Sequence, residues 1–291
     1  MRRPEFRYFV SGPEKPQPQH RNVVLMRNKT TFSLLLLLCL GLPGLGCQAT
    51  GRATTKGMPA PQATSPLAGS EQILLVVTET WDANQGRLRR FERTPGCAWR
   101  PVGKEIPVNV GRNGLGWGRG LHGDQLSQAP VKAEGDGRAP AGVFALPGAF
   151  AYQPAALSTP PRVSVYPLTD HTVCVDTTTS RFYNRTFEET AAPAKDWDSE
   201  ERMLRPDGLY RFGLFVDHNT SGTKPGAGSC IFIHLWRGPG SPTAGCTSMA
   251  EPDMLAILAW LDAGKKPLLV QLPRSELARL AQAWGAPELA Q

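Results

Sequence analysis

Cys246 and His234 are the two residues of this chain best suited by type and spacing to do chemistry. Cys246 closes the run Pro242-Thr243-Ala244-Gly245-Cys246, and His234 ends Ser229-Cys230-Ile231-Phe232-Ile233-His234 twelve positions earlier. Ile231, Phe232 and Ile233 read as a short buried strand, which holds an imidazole rigidly at its end, while Gly-Cys after a Pro-Thr turn presents a sulfur on tight backbone. A fixed base beside a presented thiol is the minimum apparatus for acyl transfer, because the thiolate is the attacking species. The imidazole would remove the thiol proton or stabilise a thiolate as imidazolium, and would then return a proton to the leaving amine. The backbone N–H groups of Gly245 and Cys246 are natural oxyanion donors, with glycine letting the backbone come close to a carbonyl. A single cysteine or histidine is more often a packed residue, so the pair has to be weighed with its surroundings.

Several polar residues lie near the pair in sequence. His218 and Asn219 could line a cleft, His218 as a second candidate base and Asn219 as a binder of substrate amides, with ordinary turn roles as the alternative. Arg237 could pair with a peptide carboxylate. Thr243, in the turn before the cysteine, is a further substrate-binding candidate, and Glu134 and Asp136 could either meet an ammonium or shape their Gly-rich turn. His122 and His171 are isolated and take no role. Neither Cys-x-x-Cys nor His-x-x-x-His spacing occurs, so a metal hydrolase is not expected, and no cofactor is called for. The glycines of residues 114–120 follow no strand–helix arrangement suited to a nucleotide phosphate.

The elements that must position these groups are mostly strands. Short strand signals fall at 73–78, 89–92, 99–102, 106–110, 143–146, 163–166, 172–175, 209–217, 230–235 and 267–272, separated by Gly, Pro, Asn and Asp clusters. Two helices are expected. One spans 252–261, with proline in its first turn and Glu251 and Asp253 at its positive end; the other, 275–284, is capped by Ser275. The fold class is therefore mainly β, a β-sandwich or partly closed barrel with a few short helices. One domain over 71–274 follows a flexible Ala/Thr/Gly/Pro tether at 48–70, and 275–291 forms a C-terminal helical appendage.

Residues 1–47 read as an export signal. From Met26, the expected true start, come Arg27 and Lys29, an apolar run over 32–42, and Pro43-Gly44-Leu45-Gly46-Cys47. The run is too short for a membrane-spanning helix. Cys47 resembles the lipidated cysteine of a bacterial lipoprotein, with ordinary cleavage nearby as the alternative. The signal holds seven basic and two acidic residues, which leaves only +2 of the total net charge of +7 for the remainder. A nearly neutral body offers nucleic acid no basic face. Of the six cysteines, Cys97, Cys174, Cys230 and Cys246 lie in the body. With Cys246 kept as a thiol, one bridge is left to form. Cys174–Cys230 is the expected pairing because both lie in apolar strand-like runs, although spacing alone does not fix connectivity.

The motifs together resemble the catalytic core of the L,D-transpeptidase (YkuD-like) family. Gly228-Ser229-Cys230-Ile231-Phe232-Ile233-His234, then Pro242-Thr243-Ala244-Gly245-Cys246, then a short helix and the strand at 267–272, carry the resemblance. Residues 134–144, Cys174-Val175-Asp176, Phe182-Tyr183-Asn184 and Val216-Asp217-His218-Asn219 extend it over roughly 71–273. The common family motif has a histidine two before the cysteine and an arginine or asparagine two after; Ala244 and Ser248 stand there in this chain, as in a divergent Thr-Ala-Gly-Cys branch. The resemblance implies an enzyme of bacterial cell-wall biogenesis, exported to the periplasm or cell envelope and meeting the membrane only through its signal or anchor. Cys246 would attack the bond between a diamino acid and D-alanine in a peptidoglycan stem peptide. An amine of a second stem, or a lipoprotein acceptor, would then receive the acyl group. Two alternatives stay open: an L,D-carboxypeptidase or amidase with the same thiol chemistry, and a peptidoglycan-binding lipoprotein without turnover.

Overall fold

The computed structural model describes residues 65–124, 129–192 and 194–287. The signal segment with Met26 and Cys47, residues 48–64 of the tether and the last four residues lie outside the described residues. Fourteen strands and two α-helices occur among the described residues: β1 (Gln72–Thr78), β2 (Gln85–Glu92), β3 (Arg100–Asn109), β4 (Leu115–Trp117), β5 (Ala139–Ala145), β6 (Ala149–Ala151), β7 (Val165–Pro167), β8 (Thr172–Val175), β9 (Thr186–Glu188), β10 (Glu200–Arg202), β11 (Phe212–Phe215), β12 (Phe232–Leu235), β13 (Thr247–Met249), α1 (Glu251–Trp260), β14 (Leu268–Pro273) and α2 (Arg274–Trp284). The chain is mainly β, as its sequence pattern indicates. Eleven strands form one mixed sheet in the order β4-β5-β14-β1-β2-β3-β13-β12-β11-β6-β7, and β10-β8-β9 form a small second sheet.

Burial explains the order. β1 is apolar along nearly its whole length and buried at every position, the composition expected of a strand covered on both faces. It sits between β14, parallel to it, and β2, antiparallel to it. α2 packs on β14 and β1 through Leu277, Leu280 and Trp284, and Gly285 ends it in the left-handed conformation with φ 62°. α1 lays Met254, Ile257 and Leu258 toward β11 and β12. A second, smaller core of Phe150, Tyr210, Phe232, Cys174, Cys230 and Cys246 lies beyond the main one. Its rings meet edge to face, with Tyr210 and Phe232 centroids 5.6 Å apart.

Three elements differ from their expected bounds for identifiable reasons. The segments at 99–102 and 106–110 join into the single strand β3, whose register against β2 shifts between Leu88 and Arg90; Gly103, at φ 69°, takes up the extra residues. The strand expected at 209–217 begins only at Phe212, because Arg211 N–H closes a turn onto Gly208 C=O at 3.0 Å. The strand expected from residue 230 begins at Phe232, because Cys230 lies at φ 55° and breaks the extended run.

Candidate active site

β12 has two faces with different neighbours, as strand alternation requires. Ile233 and Leu235 belong to the main core, whereas Phe232 belongs to the smaller one, so His234 shares the Phe232 side. β13 runs parallel to β12, with His234 level with Ser248. Cys246 immediately precedes β13 and lies against the start of β12: Phe232 N–H donates to its Sγ at 3.3 Å, and the thiol donates to Cys230 C=O at 3.6 Å. By this register Cys246 stands level with Phe232, two residues short of His234, and Cys246 and His234 line one cleft.

The imidazole is held in one tautomer. His234 Nδ1–H donates to Leu235 C=O at 2.7 Å, which leaves the Nε2 lone pair as the basic position. The Tyr210 ring meets the imidazole edge-on at 4.9 Å between centroids. Burial is nearly complete at both groups, with 7% of His234 and 8% of Cys246 exposed. Loss of solvent disfavours the charged form of each. Burial pulls the imidazole down to about 4 and pushes the thiol up to about 12, with Glu201 adding to the rise. With the thiol raised and the imidazole lowered, both groups are neutral at rest, and of the two protonation schemes this fits proton removal during attack.

The turn before the nucleophile is braced by Thr243. Its hydroxyl donates to Cys246 C=O at 2.6 Å and accepts the Gly245 N–H at 3.1 Å. Thr243 lines the cleft but shapes the turn rather than being free for a ligand, and the Gly245 N–H already has a partner. A Cβ at Gly245 would lie 3.1 Å from Arg138 C=O, so a glycine suits this close approach.

A cleft of about 380 Å³ opens on Cys246 and His234. Its walls include Lys132, Glu134, Tyr210, Ser248 and Arg237. A second arm of about 470 Å³ shares Asp176, Glu201, Arg205 and Ala244 with it. Tyr210 O–H donates to Glu201, whose carboxyl is raised by burial. Arg237 lines the cleft, yet its guanidinium is paired with Asp207 at 2.9 Å. Arg205 grips the same carboxylate at 2.6 Å and holds it down at about 2. Glu134 accepts from Ser229 Oγ at 2.7 Å and from Tyr183 O–H, while Asp136 pairs with the buried Lys132 at 2.6 Å. Two polar atoms on residues of the cleft, Asp176 Oδ1 and Ser248 Oγ, are buried with no hydrogen-bond partner.

His218 and Asn219 lie elsewhere. Neither lines the cleft. His218 Nδ1 accepts Arg119 N–H at 3.3 Å and Nε2–H donates to Ala227 C=O at 2.9 Å; Asn219, at φ 54°, donates to Lys224 C=O and Gly228 C=O, both at 3.0 Å. Both are buried braces of the loop between β11 and β12, the turn role weighed as the alternative for them. Tyr210, Glu201, Asp176 and Lys132 are cleft residues that the sequence reading did not select. The carboxylates and the tyrosine sit among many similar residues in sequence, and only the folded chain gathers them.

A disulfide joins Cys174 to Cys230 and so ties the small sheet to the segment that contacts the nucleophile. Among the described residues, no group of three or more His, Cys, Asp or Glu side chains is placed to hold a metal ion, and no helix is long and apolar enough to cross a membrane. No model of a known family matches the chain, and no curated protein matches it either.

Proposed function

We propose that this chain is a peptidoglycan L,D-transpeptidase, built on the sandwich or partly closed barrel of the family its motifs resemble, and exported to the bacterial cell envelope. The observation that carries the reading is a cysteine and a histidine on the walls of one cleft, the imidazole having its Nδ1–H tied to Leu235 C=O at 2.7 Å. A tautomer fixed in this way puts a lone pair, not a proton, at the position available to a thiol.

In the proposed cycle His234 Nε2 takes the Cys246 proton as sulfur attacks the carbonyl between the diamino acid and D-alanine. The C–S bond forms, and the tetrahedral oxyanion takes a hydrogen bond from the Cys246 N–H, the Gly245 N–H being held by Thr243. Collapse breaks the C–N bond, and the imidazolium returns its proton to the departing D-alanine amine. An amine then attacks the thioester, its proton passing through His234 back to sulfur. Water in place of the amine gives the carboxypeptidase outcome.

Purified protein incubated with tetrapeptide-bearing muropeptides tests the reading. Dimers joined between two diamino acids are expected, and Cys246→Ala should abolish them. Shortened monomers alone would assign the chain to hydrolysis, and unchanged muropeptides with retained binding to sacculi would leave only a binding module.

A further inference from the structure

We infer that Asp176 is the group that receives the incoming amine, at the junction where the two arms of the cleft meet. The inference rests on the acyl-transfer reading above and names the residue that selects its acceptor. Asp176 borders both arms, as do Glu201, Arg205 and Ala244, the last two positions before the nucleophile. It is the charged group of this junction that the protein leaves unsatisfied. Arg205 is gripped by Asp207 at 2.6 Å and lies 3.7 Å from Glu201. Glu201 also accepts from Tyr210 O–H. In the second arm Arg202 pairs with Glu189 and Glu200, both at 2.8 Å, and Glu200 pairs with Lys195 at 3.0 Å. Asp176 Oδ1, by contrast, is buried without a partner.

A second observation points into the same cleft independently. Ser248 is 1% exposed, lines the cleft, and its Oγ has no partner either. A buried polar atom left unpaired costs about 1 to 3 kcal/mol, and two on residues that line one cleft point to a bound molecule there that draws these side chains into its hydrogen bonding. The remaining two such atoms among the described residues, Arg90 Nε and Trp260 Nε1, belong to side chains stacked on each other, 5.6 Å from guanidinium to ring centroid.

The chemistry at the junction selects the ligand. A carboxylate oxygen only accepts hydrogen bonds, so it calls for an N–H or O–H donor, and its charge favours an ammonium. A primary amine reaches the cleft protonated, docks an N–H on Asp176, and gives up one proton to bulk water, which leaves a neutral nitrogen with two hydrogens as the nucleophile. Its nitrogen attacks the Cys246 thioester, the C–N bond forms, the C–S bond breaks, and the proton lost by nitrogen returns to Sγ by way of His234 Nε2. Water carries no charge for Asp176 to hold, so this residue favours transfer over hydrolysis.

The test follows the fate of one acyl-enzyme. Protein is acylated with a synthetic tetrapeptide stem ending in D-alanine, the adduct is identified by intact mass, and Nα-acetyl-lysine amide is added as a neutral-bodied primary amine. In Asp176→Asn the ratio of amine transfer to hydrolysis should fall about tenfold at sub-saturating amine, through a higher KM for the amine. Asp176→Ser is the second variant, and thermal melting verifies that both remain folded. An unchanged ratio in folded variants overturns the assignment of Asp176 while leaving the acyl-enzyme reading intact. Wild-type protein that forms no acyl-enzyme overturns the parent reading, and this one with it.

Discussion

At Cys246 the decisive quantity is the proton. Many cysteine nucleophiles are activated by a resident thiolate, but here burial holds the thiol up at about 12 and the imidazole down at about 4. At the sulfur desolvation outweighs the groups that favour a thiolate, the Phe232 N–H at 3.3 Å, the charge of Lys132 and the Tyr210 hydroxyl. Attack on a small electrophile such as iodoacetamide requires a thiolate, so the rate at Cys246, followed by peptide mass spectrometry, should climb steadily with pH from 7 to 10. A rate already at plateau from pH 5 upward would instead reveal a thiolate–imidazolium pair at rest. The residue scale is also where the sequence was most legible. The strand that carries His234 and the tight turn at Gly245-Cys246 are legible because strand alternation and turn chemistry are local. His218 and Asn219 were harder to read, because a polar residue after a strand looks the same whether it faces a ligand or a loop. Only its hydrogen-bond partners separate the two.

At the scale of elements, the site depends on how the segment before β12 is pinned. Cys230 sits at φ 55° and Asn184 at φ 61°, a left-handed conformation that costs a non-glycine residue about 1 kcal/mol. Cys230 is held there twice, by its bond to Cys174 and by its N–H donating to Asn184 Oδ1 at 3.0 Å. That conformation is accompanied by the contact between Cys230 C=O and the thiol. The strands of the large sheet were largely legible as alternating or continuous apolar runs, whereas β4, β6, β9, β10 and β13 span only three residues each. Three residues are too few for a period to show, and those strands exist because neighbours supply their partners. The bridge closes a separation of 56 residues, worth about 4 kcal/mol of unfolded-state entropy. Removing it in the double variant Cys174→Ser/Cys230→Ser should therefore lower the melting temperature. It should also act on the nucleophile in two opposite senses: alkylation of Cys246 at pH 8 rises severalfold as water reaches the sulfur, while acyl transfer falls at least tenfold. If both rates fall together, the bridge stabilises the fold without setting the geometry of the thiol.

For the whole molecule, the same burial that shapes the site ties stability to pH. His122, His218 and His234 are all buried, and desolvation lowers all three imidazoles, His218 and His234 to about 4. The ordinary imidazole value in an unfolded chain is about 6.5, so between pH 6.5 and 4 the unfolded chain binds protons that the folded chain refuses. Stability from these groups is complete above 6.5 and is lost as pH falls toward 4. Asp217 works the other way. Burial raises it to about 6, so the folded state binds its proton first and gains stability as pH falls from 6 toward 4. Three histidines against two carboxyls that burial raises, Asp217 and Glu201, leave the histidines in control, His218 and His234 each worth about 3 kcal/mol. The melting temperature should therefore drop as the buffer goes from pH 7 to 4.5. His218→Gln should flatten that slope while lowering the melting temperature at pH 7, because a neutral amide replaces the titrating ring but cannot reproduce both of its hydrogen bonds, to Arg119 N–H and Ala227 C=O. Calorimetry across this range decides it: a melting temperature constant from pH 7 to 4.5 would mean that these rings are not held neutral, and the resting state assigned to His234 would fall with them.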